Sequence, residues 1–106
     1  MPKINTLEPH TFPQFLGQAL REARMVRGFS QRDVARILTE KGHPTEQDFV
    51  SRLELGRGWS SDTIRIVFRA LNRNPWNIAE ACEEKMRNLA AEMPLFRGLS
   101  DLEHRS

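Results

Sequence analysis

Six hydrogen-bonding side chains, Thr45, Glu46, Gln47, Asp48, Ser51 and Arg52, crowd into one short stretch of the chain. Their types suit a nucleic acid. A glutamine amide can pair with adenine in bidentate fashion, and an arginine fork fits guanine or a phosphate. A carboxylate is rewarded directly only by cytosine's amino group and is repelled by phosphates. The same residues would also make an ordinary solvated face. Arg57, set between Gly56 and Gly58, is a phosphate candidate in a loop. Gln31, beside the open N–H groups of a helix start, is a second, with simple capping as its alternative. Lys41, His43 and Arg32 fit either a phosphate or plain solvent.

Other chemistries lack their residues. There is no nucleophile motif, no phosphate-cradling glycine loop and no metal triad, so neither an enzyme nor a cofactor is expected. Cys82 stands alone, which excludes an internal disulfide and a cysteine-based zinc site. On an apolar stripe it reads as a small core hydrophobe, with a redox switch as the alternative. His10, His43 and His104 are too scattered to form a metal set.

Five helices are needed to position these groups, and no alternating strand pattern competes with them. Helix one starts at Thr11, whose spacing to Gln14 is that of a capping box, and Phe15, Leu16, Ala19, Leu20 and Ala23 share one face. Gly28 ends it. Ser30 opens helix two, with Val34, Ala35 and Leu38 inward and Gly42 and Pro44 beyond its end. Thr45 and Asp48 have an acidic capping-box spacing that would open helix three, with Phe49, Val50 and Leu53 as its apolar stripe. Ser60 or Ser61 caps helix four, whose core face is Ile64, Val67, Phe68 and Leu71. Asn74 and Pro75 open helix five, along which Ile78, Cys82, Met86 and Leu89 form a stripe until Pro94. Trp59 and Trp76 read as core or rim packing, and Trp76 alternatively as a dimer anchor.

The chain has 106 residues, one domain's worth. No run approaches the roughly 20 apolar residues of a membrane span. The opening MPKINTLEPHTFPQ has no apolar signal core, so a cytoplasmic protein is expected. The net charge of +2 divides unevenly: residues 1–73 carry 12 basic and 8 acidic groups, and residues 74–106 carry 4 and 6. Thirteen of the 16 basic residues are Arg, which fits phosphate recognition or the codon bias of a GC-rich genome equally well.

The segments FLGQALREARMVRGFSQRDVARIL, FVSRLELGRG and IRIVFRALN together resemble the phage-repressor helix-turn-helix family (Cro/cI-like, XRE). The matching features are Leu20, Arg21 and Arg24 in helix one and Ser30 and Gln31 at the start of helix two, followed by Val34 and Ala35. The run Val50, Ser51, Arg52, Leu53, Glu54, with Gly56 one residue on, completes them. The resemblance covers residues 12–80. It implies an all-α, five-helix lambda-repressor-like DNA-binding domain over 12–92, between a flexible arm at 1–11 and a tail at 93–106. One departure is visible. TEKGHPTE, residues 39–46, stands where the family's turn has about three residues, so an extended turn between helices two and three is expected.

The resemblance places helix three in the major groove of double-stranded DNA, with Gln47, Asp48, Ser51 and Arg52 reading bases. Gln31, Arg57, Thr45 and Lys41 would hold phosphates. Arg24 and Glu54 match positions that form a structural ion pair between helix one and the end of helix three. The function implied is a sequence-specific transcriptional regulator, a homodimeric repressor using Trp76, Leu89 and Phe96 as dimer or partner contacts. The alternative is an antitoxin or adaptor that binds a protein through helix five and the tail, where Leu95, Phe96, Leu99 and Leu102 follow Pro94.

Overall fold

Apolar residues recurring every three or four positions fold as five helices in a computed structural model that describes residues 8–92. They are α1 (Phe12–Val26), α2 (Gln31–Glu40), α3 (Gln47–Glu54), α4 (Ser61–Ala70) and α5 (Pro75–Glu92). Among the described residues there is no strand, and the fold is all-α. The tail at 93–106, with Phe96, and residues 1–7 of the arm lie outside the described residues.

Local chemistry sets most helix starts. The Thr11 hydroxyl accepts the Gln14 N–H, and the Gln14 side chain accepts the Thr11 N–H in return. Ser30 and Asp33 make the same reciprocal pair at α2. Ser60, rather than Ser61, caps α4 by accepting the Thr63 N–H. Asn74 accepts from the backbone of Trp76 and Asn77, and Pro75 follows in the first turn. Each cap satisfies N–H groups that a helix leaves without partners.

The start of α3 departs from the sequence expectation. Its N-cap is Glu46, not Thr45, and Glu46 makes no side-chain cap bond. The Thr45 hydroxyl instead donates to the His43 carbonyl at 2.6 Å. A threonine after Pro44 can bond locally to turn backbone as readily as to a helix start, and here the turn wins.

The ends of the first four helices share one device. A left-handed residue follows the C-cap, and the next N–H reaches back to the carbonyl five positions earlier: Phe29 to Arg24, His43 to Leu38, Arg57 to Arg52, Arg73 to Phe68. Gly42 illustrates the requirement, since its φ of +98° is one that side chains oppose. The core is made by every helix: Leu16, Leu20 and Ala23, then Val34, Ala35 and Leu38, then Val50 and Leu53, then Ile64, Val67, Phe68 and Leu71, and finally Cys82. α3 packs on α2 and α1, while α5 lies against α1 and α4. Burying the inward faces of helices this short supplies stability that isolated helices would lack.

Candidate nucleic-acid interface

α3 is clamped on its inner side by a three-helix polar junction. Arg24, from α1, donates through Nε to Glu54 Oε2 at 2.6 Å and through Nη2 to Oε1 at 3.0 Å. Its third nitrogen donates to the Phe29 carbonyl. Gln31, in the first turn of α2, donates to the same Oε1 at 3.0 Å. The Arg24 and Glu54 side chains are only 15% and 7% exposed. The bidentate bond to Glu54 raises the Arg24 pKa, against the opposing effect of burial. A fork on a carboxylate fixes direction as well as distance, so this junction orients the last turn of α3 against α1 and α2.

Two further contacts hold that turn. Gly17 is buried where α1 crosses α3, and a Cβ placed there would stand 2.5 Å from the Glu54 carbonyl oxygen and 2.6 Å from that of Leu53. Only a glycine lets the helices approach so closely. Trp59 donates its indole N–H to the Leu53 carbonyl at 2.8 Å and stacks on Phe68, with ring centroids 5.6 Å apart and planes 7° from parallel. Neither contact was read from the sequence. A glycine inside an otherwise apolar helix was the available signal for Gly17.

With Val50 and Leu53 buried, helical geometry turns Asp48, Ser51 and Arg52 outward on the opposite side, and Gln47 is exposed at the first position of the helix. Among the described residues none of these four side chains has a hydrogen-bond partner, and the Arg52 guanidinium lies over the Phe49 ring at 5.9 Å. Pro44, Thr45, Glu46, Asp48, Phe49 and Arg52 line a cleft of about 320 Å³ beside them. Asp48 in the first turn suits the positive end of the helix dipole. The face can donate from Arg52, Gln47 and Ser51 and accept at Gln47, Ser51, Asp48 and Glu46.

The other sequence candidates are dispersed. Arg57 follows the left-handed Gly56, its side chain exposed and without a partner among the described residues. Lys41 is the exposed C-cap of α2. Gln31 is turned inward: one amide hydrogen serves Glu54, which leaves the second for any ligand. Thr45 has its hydroxyl proton on His43. Trp76, 55% exposed, and the half-buried Leu89 sit on α5. Cys82 is buried, and burial pushes its thiol pKa up. Among the described residues no group of three His, Cys, Asp or Glu could hold a metal, and no helix is long and apolar enough to cross a membrane.

Among solved structures, the chain is similar to the clp gene regulator ClgR from Corynebacterium glutamicum, at 28% sequence identity and a TM-score of 0.64. The likeness covers 86% of this chain and 94% of that one. No family model matches the sequence, and no curated protein matches it.

Proposed function

We propose that this chain is a cytoplasmic, sequence-specific double-stranded DNA-binding transcriptional regulator of the phage-repressor helix-turn-helix kind. It reads the major groove with α3 and represses as a homodimer. One observation supports the reading: Arg24 and Gln31 hold α3 from behind through its Glu54, while Gln47, Asp48, Ser51 and Arg52 have no hydrogen-bond partner among the described residues. A short helix with a locked back and an open polar front is what direct readout of base edges requires. The similarity to ClgR, a gene regulator, supports the same class.

Arg57 and Lys41, with the second amide hydrogen of Gln31, supply the phosphate contacts that fix register without reading sequence. One domain offers a single reading helix, so useful affinity calls for two copies on a palindrome. Trp76 and Leu89 of α5 are the dimer contacts, on a helix that packs away from α3.

The test compares two arginines on the duplex that the parent chain enriches from a randomised pool. Arg52→Ala should lose roughly 1–3 kcal/mol on that duplex and little on mixed-sequence DNA. Arg57→Ala should weaken both alike and reduce the salt slope by about 1. Parental affinity of both variants for every duplex would overturn the assignment. Sedimentation with and without Trp76→Ala decides the dimer contact.

A further inference from the structure

The six residues from Lys41 to Glu46 that join α2 to α3 contain Gly42 and Pro44 and contribute no core side chain. Phe49 and Val50 seat the first turn of α3 on the core, but no side chain of the connection does, and Glu46 does not cap the helix. Thr39 does that work by hydrogen bonding. Its carbonyl accepts the Gly42 N–H at 3.0 Å, and its hydroxyl oxygen accepts the Thr45 N–H at 3.0 Å. The single hydroxyl proton is shared between the Ala35 carbonyl at 2.9 Å, one turn back in α2, and the Thr45 carbonyl at 3.2 Å. One side chain thus ties the last turn of α2 to both backbone groups of Thr45, the residue just before the N-cap of α3.

We infer that Thr39 is a positioning residue that sets the placement of the outward face of α3, and through it the sequence preference of the protein, by way of Thr45 rather than by touching the ligand. This rests on the DNA reading above. The clamp at Glu54 fixes the far end of α3, and Thr39 fixes the near end, where Gln47 and Asp48 project. Loss of the hydroxyl frees the near end while leaving the core intact, because Thr39 is exposed.

Thr39→Val removes the hydroxyl at constant shape, Thr39→Ser restores it, and Thr39→Ala, which raises helix propensity, guards against loss of fold. Two readouts separate the inference from the DNA reading. In the free protein, Val and Ala at this site should expose the Thr45 amide to hydrogen exchange and shift the amide resonances of residues 46–51, and Ser should restore both. On DNA, the ratio of affinities for the parent's enriched duplex and for mixed-sequence genomic DNA should fall about tenfold for Val and Ala, with an unchanged salt slope, and recover for Ser. Parental α3 resonances in Thr39→Val and Thr39→Ala, a parental affinity ratio, or failure of Ser to restore them would overturn the role of Thr39. A parent chain that enriches no duplex overturns the DNA reading instead, and the amide resonances still decide whether Thr39 places α3.

Discussion

α2 and α3 follow one another in the chain and pack together, yet the polar groups of their first turns are treated in opposite ways. At α2 every short polar side chain is committed to a bond within the protein. Ser30 and Asp33 cap each other's backbone, Asp33 also pairs with Arg36 at 3.2 Å, and Gln31 serves Glu54. At α3, Glu46 occupies the cap position without capping, and the side chains of Gln47, Asp48 and Ser51 bond to nothing among the described residues. An N-cap bond stabilises a helix by about 1 kcal/mol, so α3 forgoes that stabilisation where α2 takes it. The difference separates scaffold from surface: apart from the second amide hydrogen of Gln31, groups used in folding are unavailable to a ligand, and a locally suboptimal helix start is where function is expected to override folding rules.

Substitutions can break this contrast or sharpen it. The largest effect belongs to the junction behind α3. Arg24→Ala leaves Glu54 buried with its charge uncompensated and should cost about 3 kcal/mol in a urea melt. Retention of parental stability would mean that the junction does not hold the helix. Gly17→Ala forces a methyl group against the α3 backbone and should cost about 2 kcal/mol. It should also move the amide resonances of Leu53 and Glu54 beyond those of any other α1 substitution. Ser30→Ala, which breaks the α2 cap, should lose about 1 kcal/mol. Glu46→Ser should do the reverse, raising stability by about 0.5 kcal/mol while weakening binding to the enriched duplex. Equal signs for Ser30→Ala and Glu46→Ser would erase the contrast.

The smallest effect is a dependence on pH. The Ser30 backbone N–H, followed by its hydroxyl, lowers the Asp33 pKa below its ordinary value of 3.8. A carboxylate whose folded pKa is depressed contributes stability above its unfolded pKa and loses that contribution as pH falls through the folded one. Asp33→Asn should therefore be less stable than the parent at neutral pH, and the gap should close in acid, below pH 3.8. A gap of constant size from pH 7 to pH 2 would show that charge on Asp33 plays no part.

Much of the fold was legible because its signals are local and periodic. Apolar residues at helical spacing and the pairings of Thr11 with Gln14 and of Ser30 with the first turn of α2 needed no tertiary information. The start of α3 was misread because Thr45 had two backbone partners within reach and composition cannot rank them. The base-reading candidates could be grouped in sequence because they share one short helix. Gln31, Gly17 and Thr39 could not be placed, since their roles depend on groups 23, 37 and 6 residues away that only the folded chain brings near. A lone threonine near a helix end reads as solvated surface until a second chain segment lies across it.

The two tryptophans give the molecule an internal pair of optical reporters. Trp59 is bonded to the end of α3 and stacked on Phe68, whereas Trp76 is 55% exposed at the start of α5. In the dissociated chain an aqueous quencher such as iodide should reach Trp76 first and leave Trp59 emitting. What remains reports whether the back of α3 is still seated, so engagement of its front can be followed from within the protein, without an attached dye.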